Sequence, residues 1–506
     1  KDIDQPYCFI PARYILAILG SIGMAIIYGL KVNLSVAMVG MLNHTAIKLA
    51  AGEHATIQRA ELNTTLATVT VEECKPTGGS GNVTELIGPF EWSSTVQGMI
   101  LSCYFWGYFI SQIPGARVAE LFSAKYVMFF SVSINVICTL LTPVMAEAHY
   151  IAVIFMRVGE GIGGGVTFPA MHVLLSKWAP PAERSVMAAL VYAGTSLGTV
   201  ISMLMAGVLT DNLGWESVFY MMGGLSCLWC VLWVILIQDS PQQQSLISAE
   251  ERNMIVSSLG GKTDDHSPKK KLTIPWKSVL TSPPFLAILV AHTCSNWGWY
   301  MLLIELPFYM KQVLKFNMTE NAVTTALPFL TLWIFSIALS KTLDWLRGKG
   351  HITTTIARKV GTLFASVVPM FCLLGLCYIG CNRSGAVALM AVGVTCIGGM
   401  FCGFLSNHID IAPNFAGTLM AITNTFATIP GIVVPLFVGY LTHGNQTIDA
   451  WRIIFFVTIS LYIIEIIAYT LFGSGEEQSW NRPVSDKDEE TMETKPLNIE
   501  GEKMQL

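Results

Sequence analysis

The sequence predicts an all-α integral membrane protein, with twelve transmembrane helices arranged as two six-helix pseudo-repeats. Three observations predict it. Of 506 residues, 53% are hydrophobic and 13% charged, where a soluble domain carries roughly a quarter charged. The apolar residues fall into long uninterrupted runs, and about 20 such residues cross a bilayer core of roughly 30 Å. A polar stretch from Asp239 to Pro283 divides those runs six and six.

The runs cover 14–41, 94–116, 125–146, 150–175, 187–210, 216–238, 284–310, 323–342, 359–380, 384–407, 414–440 and 450–473, here spans 1 to 12. The first is too long for the apolar core of a signal peptide and lacks a small-residue cleavage site after it, so it stays as a span. Residues 1–13 form a cytosolic N-terminus, and 14–238 the first bundle, with a long outer loop at 42–93. The linker 239–283 opens with a capping box, Ser248 with Glu251, continues as an amphipathic stretch to Leu259 and carries Lys269, Lys270 and Lys271. The second bundle is 284–473. The tail 474–506 is acid-rich and too poor in apolar residues to fold alone.

Orientation follows from two independent signals. Loops after the even-numbered spans up to the eighth hold most loop Lys and Arg, among them Arg117, Lys125, Lys177, Arg184, Arg347 and Arg358, which places them and both termini in the cytosol. The loop-placed glycosylation sequons at Asn43, Asn63, Asn82, Asn317, Asn382 and Asn445 then fall on the opposite side. Asn33 also begins a sequon but lies inside span 1.

Composition excludes other classes. The net charge is −4, and no basic stripe with interleaved aromatics supports nucleic-acid binding. Nine cysteines lie inside apolar runs, where a thiol packs as a small hydrophobe, and the Cys227/Cys230 pair has no second ligand pair for zinc. Neither an H-E-x-x-H helix nor a nucleophile elbow is read, so the chain is not expected to be an enzyme and needs no cofactor. An internal repeat supports the division in two. Trp178-Ala179-Pro180-Pro181-Ala182-Glu183-Arg184-Ser185 after span 4 matches Ile411-Ala412-Pro413-Asn414-Phe415-Ala416-Gly417 after span 10, and the charged turn from Arg117 to Lys125 matches Asp344 to Lys349.

Several segments carry a resemblance: Lys31-Val32-Asn33-Leu34-Ser35-Val36-Ala37 in span 1, Gly165-Val166-Thr167-Phe168-Pro169-Ala170-Met171-His172 in span 4, the Trp178 to Ser185 turn, and Asn407-His408-Ile409-Asp410-Ile411-Ala412-Pro413. Together they resemble the anion/cation symporter family of the major facilitator superfamily, which contains sialin, vesicular glutamate transporters and type I sodium/phosphate cotransporters, and most of all its insect inorganic phosphate cotransporter group. The resemblance covers nearly the whole chain. It implies the major facilitator fold, with spans 1, 4 and 7 lining a central cavity. The family usually has arginine at the position of Lys31. A second span 4 glutamate of sialin-like members would fall at Gly164, and the span 7 cation of the glutamate branch, near Ser295 and Asn296, is absent here.

Ionisable groups inside spans are costly and so point to function. Lys31, Arg157, Glu160, Glu305 and Glu465 are the ones present. Two cations in a cavity attract an anion, and Arg offers a planar fork for carboxylate or phosphate, so Lys31 and Arg157 are the expected anion site. The alternative is that Arg157 and Glu160, three apart on one helix, neutralise each other. Glu160 and Glu305 are coupling candidates, able to exchange protons or ligate Na⁺. His172, roughly 18 Å beyond Glu160 along the helix, is either an inner gate or proton-path residue or a packing histidine. Asn296 and Tyr300, with Trp297 and Trp299, are candidate substrate contacts. Gly159/Gly163 and Gly161/Gly165 are read as helix-packing stripes, and His408 and Asp410 as fixing the turn after span 10.

The function expected is a secondary transporter working by alternating access as a monomer in a bilayer, with a small anionic solute as its partner. Its first form is Na⁺-coupled uptake of inorganic phosphate at the plasma membrane. Its second is H⁺-coupled movement of an organic anion, sialate or an acidic amino acid, across a lysosomal or vesicular membrane.

Overall fold

Residues 11–43, 88–92, 94–259, 274–305, 309–310, 314, 318–442 and 447–482 are described in the computed structural model. The sequons at Asn63, Asn82, Asn317 and Asn445, and the side chain of Glu305, lie outside the described residues.

Each apolar run forms one helix or a helix broken in the bilayer. The first half comprises α1 (Ala12–Met41), α2 (Ser94–Leu121), α3 (Ala124–Ala148), α4 (Tyr150–Gly165) with α5 (Thr167–Trp178), α6 (Arg184–Tyr192) with α7 (Gly194–Leu213), and α8 (Glu216–Leu236). A linker helix α9 (Ala249–Ser258) and a short α10 (Trp276–Leu280) follow. The second half comprises α11 (Pro283–Tyr300), extended by a π-helical turn Met301–Glu305, then α12 (Met318–Gly348), α13 (Thr354–Tyr378), α14 (Arg383–Ile397) with α15 (Phe404–Ile411), α16 (Ala416–Thr442) and α17 (Ile448–Phe472). Among the described residues, ten helical segments meet the length and hydropathy needed to cross a membrane. The other two spans are α2 and α11. Polar groups such as Gln97, Gln112, His292 and Asn296 lower their hydropathy, and several of these line the interior.

The bundle has an apolar exterior and a polar seam, the reverse of a water-soluble fold. Ile110, Phe155 and Leu436 are about two-thirds exposed, as lipid-facing side chains are. Gln112, Asn135, Thr199 and Ser336 are buried because hydrocarbon cannot satisfy them.

The span 4 break at Val166 frees backbone carbonyls, which side chains capture: Ser131 donates to Gly163 O at 2.5 Å and Thr167 to Gly164 O at 2.6 Å. Span 10, its counterpart in the second half, breaks at the corresponding place through a 3₁₀ turn, Gly398–Phe401. The span 4 glycines pack, as their spacing predicts. A Cβ on Gly161 would stand 2.0 Å from Tyr104 O on α2, and one on Gly163 2.3 Å from the Asn135 amide on α3. In return, a Cβ on Gly107 of α2 would stand 2.1 Å from Val158 O.

The charged turns pin helix starts across the two halves. Glu120, ending α2, accepts from Thr418 N at 2.6 Å at the start of α16 and is paired with Arg117. Asp344, near the end of α12, accepts from Val186 N at 2.9 Å at the start of α6 and pairs with Arg347 at 2.9 Å. Each carboxylate meets unsatisfied amides and a positive helix end, and the two contacts are related by the repeat. Ser248 caps α9 by accepting from Glu251 N at 3.1 Å. The Glu251 carboxylate accepts instead from Ala12 N at 2.9 Å and from the Arg13 guanidinium at 2.9 Å, docking the linker on span 1.

Gly194-Thr195-Ser196-Leu197-Gly198 does have the G-x-S-x-G spacing, contrary to the sequence reading. It begins a transmembrane helix rather than a strand-to-helix turn, and Ser196 Oγ has no partner among the described residues, so it is not a nucleophile elbow. Glu465 on α17 is fully buried with neither oxygen partnered among the described residues, and nothing in the structure explains it.

The packing predicts that Gly161→Ala destabilises the protein by about 1–3 kcal/mol through overpacking. Gly98→Ala, where a Cβ meets nothing within 4 Å, should leave thermal melting in detergent unchanged.

Candidate functional site

The site starts at Lys31, which α1 carries into the bundle. Its ammonium lies 4.6 Å from the ring centre of Phe105, 5.2 Å from Tyr28, 5.4 Å from Tyr104, 5.7 Å from Tyr108 and 5.9 Å from Tyr300. Ring faces attract a cation without neutralising it. Among the described residues no carboxylate lies within ion-pair distance of Lys31. Among the described residues its charge is met by ring faces alone and by no carboxylate.

Arg157, one helix away, shares the Tyr104 ring at 5.1 Å. Both terminal nitrogens of its fork are engaged, donating to Glu160 at 2.5 Å, to Lys31 O at 3.0 Å and to Leu30 O at 3.4 Å, while Nε has no partner among the described residues. Both ends of the Arg157–Glu160 pair are 3% exposed. Thr139 donates to the other Glu160 oxygen at 2.8 Å. Arg157 thus ties span 4 to the backbone that presents Lys31, and the pairing weighed for Arg157 and Glu160 is the arrangement found. A Cβ on Gly164 would stand 2.1 Å from the Tyr104 hydroxyl, so the cage tyrosine occupies the space a second span 4 glutamate would need.

Below the cage lies a central cavity between the halves. Tyr28, Tyr108 and Thr195 line it from the first half, and Asn296, Trp299, Tyr300 and Asn424 from the second. Asn296 is held by donating to Ala427 O at 3.0 Å, and Asn424 donates to the Tyr108 hydroxyl at 2.9 Å across the halves. Tyr28, Tyr108 and Tyr300 belong to both the cavity and the cage.

On the face where span 1 begins, called here the inner face, the cavity is closed by buried ion pairs. Asp410 accepts from Arg184 at 2.8 Å in the first half and from Arg358 at 2.5 Å in the second, while Arg358 also donates to Ser185 at 2.6 Å. Asp410 is thus a clamp between halves, where sequence reading assigned it only to a turn. His172 is buried behind the cavity-lining Phe168 and Leu405 and contacts Leu405 O of the other half at 3.0 Å. His408 and His292 stand beside it, and His292 was missed altogether. Its position on the face of α11 shared with Asn296 and Trp299 is the signal that could have found it.

Asn43 pairs with the returning outer segment, its N–H donating to Phe90 O at 2.8 Å. Asn382 caps α14 by accepting from Gly385 N at 3.1 Å. Asn33 is buried in span 1.

The sequence profile of the Major Facilitator Superfamily matches residues 20–435. Human sialin is 39% identical over 474 residues, covering 93% of this chain and 90% of sialin. A Drosophila melanogaster protein described as "Putative inorganic phosphate cotransporter" is 35% identical over 497 residues, covering 97% of this chain and 90% of that protein. Vesicular glutamate transporter 1 of Xenopus laevis is 34% identical over 485 residues, covering 95% and 78%. The solved proton:xylose symporter XylE, bound to 6-bromo-6-deoxy-D-glucose, shares the fold with a TM-score of 0.61 at 12% identity, covering 92% of this chain and 97% of that one. The chain belongs to the Major Facilitator Superfamily, among the relatives of sialin, and is a multi-pass membrane transporter rather than an enzyme.

Asp410→Asn should leave two buried guanidiniums without a counter-charge, which costs about 3–5 kcal/mol where one partner of a buried pair is lost. Thermal unfolding of the purified variant measures this. An unchanged melting temperature would show that the clamp does not hold the inner face.

Proposed function

We propose that the chain is a proton-coupled symporter of an organic anion, binding its carboxylate at Lys31 and its body against the aromatic cavity wall. The supporting observation is the cage: an ammonium with no carboxylate partner among the described residues, surrounded by five aromatic rings. A bare phosphate uses the charge but not the rings, whereas a sugar acid or amino acid uses both. Glu160, paired with Arg157, is the coupling carboxyl. Its protonation frees Arg157 to strengthen the positive field at the substrate, and its deprotonation restores the pair and expels the anion. Glu305 is a second coupling candidate at the outer end of span 7. Arg157 positions Lys31 in the closed pair and becomes a direct ligand when Glu160 is neutral, while Asn296 and Tyr300 orient the bound solute. The inner face is cytosolic, the membrane is lysosomal or vesicular, and the monomer is the working unit.

This reverses the order of the two expectations drawn from the sequence. Sodium-coupled phosphate uptake at the plasma membrane is the second reading, favoured by the full-length similarity to the Drosophila protein. A proteoliposome panel crossing labelled sialate, glutamate and phosphate with imposed proton or sodium gradients separates them. Organic-anion uptake driven by protons supports the first reading, and phosphate uptake driven only by sodium replaces it with the second.

Lys31→Ala should reduce uptake about ten- to hundredfold, the loss of one charge-assisted contact, in protein that still melts as wild type. Lys31→Arg should keep measurable flux. Glu160→Gln should abolish gradient-driven accumulation before it abolishes exchange, and unchanged coupling in that variant would remove Glu160 from the coupling role.

A further inference from the structure

Three histidines from both halves converge beside the cavity, which His292 alone of them lines: His172 on α5, His292 on α11 and His408 on α15, at most 3% exposed. Ring centres are 5.5 Å apart for His172 and His408, and 6.2 Å for His292 and His408. Their contacts fix where the hydrogens sit. Leu405 O can only accept, and it lies 3.0 Å from His172 Nε2 and 3.0 Å from His408 Nδ1, so both nitrogens carry hydrogen. A neutral imidazole has one N–H, which leaves lone pairs on His172 Nδ1 and His408 Nε2. The Tyr192 hydroxyl donates to the first at 2.5 Å, in preference to the Phe168 carbonyl at 3.0 Å, which cannot donate. The Thr423 hydroxyl donates to the second at 2.8 Å, a shorter contact than its alternative, Met420 O at 3.2 Å. Thr423 Oγ1 then accepts from His292 Nδ1–H at 3.0 Å. One base is left over. His292 Nε2 has no partner among the described residues, and His292 lines the cavity.

We infer that His292, Thr423 and His408 form a proton relay from the cavity to the point where the two halves meet, and that the arriving proton releases the inner face. This deepens the proton-coupled reading and rests on it. A hydronium ion in the cavity gives its proton to His292 Nε2 and leaves as water. The Nδ1–H bond of His292 breaks as Thr423 Oγ1 takes that hydrogen, and the original Thr423 O–H breaks as His408 Nε2 takes its proton. His292 ends neutral with hydrogen on Nε2, Thr423 remains a hydroxyl, and His408 is an imidazolium.

The charge arrives beside the clamp. The titratable group in contact with the cluster is Tyr192 from α6, and the nearby helix α15 also carries Asp410, paired with Arg184 on α6 and Arg358 on α13. Asp410 follows His408 by two residues. Residues two apart on a helix do not face each other, so an imidazolium at His408 does not contact Asp410; it adds a buried positive charge to the helix that carries the clamp carboxylate and repels both guanidiniums through the low-dielectric interior. Arg184–Asp410 joins the halves, so its weakening favours opening of the inner face.

Thr423→Val removes the hydroxyl link at nearly constant volume, and Thr423→Ser keeps it. Hydrogen–deuterium exchange of nanodisc-embedded protein, corrected for intrinsic exchange, is measured at about pH 5.5 and about pH 7.5, either side of the ordinary histidine range. Protection of Arg184–Tyr192 and Phe404–Ile411 should fall about threefold or more at the lower pH in wild type and Thr423→Ser, and stay constant in Thr423→Val. His292→Gln, which removes the entry base, should also stay constant and serves if Thr423→Val does not fold. A wild type without the pH response, or either blocked variant that retains it, overturns the relay. No solute is present, so failure of the anion panel in the preceding section is a separate result.

Discussion

The rest of the structure depends on how a protein keeps positive charge inside a bilayer without cancelling it. A cation in hydrocarbon costs at least about 3 kcal/mol and must be compensated. Compensation by a carboxylate removes the field that would attract an anion. The chain uses both solutions side by side. Arg157 is neutralised by Glu160 and holds the span 1 backbone in place, while Lys31 is surrounded by ring faces that lower the cost and leave the charge. The glycines of span 4 belong to the same arrangement. Gly161 lets α2 approach closely enough to bring Tyr104, Phe105 and Tyr108 to Lys31, and Gly164 leaves room for the Tyr104 hydroxyl.

The inner face applies the complementary rule. Its carboxylates each pair with an arginine and also reach the other half, through a backbone amide for Glu120 and Asp344 and through a guanidinium for Asp410. Glu120 on the start of α16 and Asp344 on the start of α6 are repeat-related, and Asp410 between Arg184 and Arg358 closes the centre. Buried ties of this kind add little net stability against an apolar replacement, but they are costly to leave half-made.

Much of this was legible in the sequence. The twelve runs, the repeat-related charged turns and the membrane placement of Lys31, Arg157 and Glu160 follow from the cost of polar groups in lipid, which acts on each residue locally. The Ser248–Glu251 capping box was legible too, because a cap is set by neighbours three residues apart. What could not be read depends on which helices touch. The sequence offers the Arg157–Glu160 pair as one alternative, from their spacing of three, but the ring cage around Lys31 shows only in the approach of α2. Asp410 looks like a turn residue until Arg184 arrives from the other half. His292 carries no motif, and its meaning comes from Thr423 and His408, on two other helices.

The central claim is that the Lys31 charge, which no carboxylate among the described residues cancels, is what holds the anion. Equilibrium binding of the anion found by transport, measured by scintillation proximity on purified wild type and Lys31→Gln matched for melting temperature, tests it most directly. The account predicts that Lys31→Gln loses binding about tenfold or more and that Lys31→Arg recovers part of it. Equal affinity in wild type and a well-folded Lys31→Gln would contradict it.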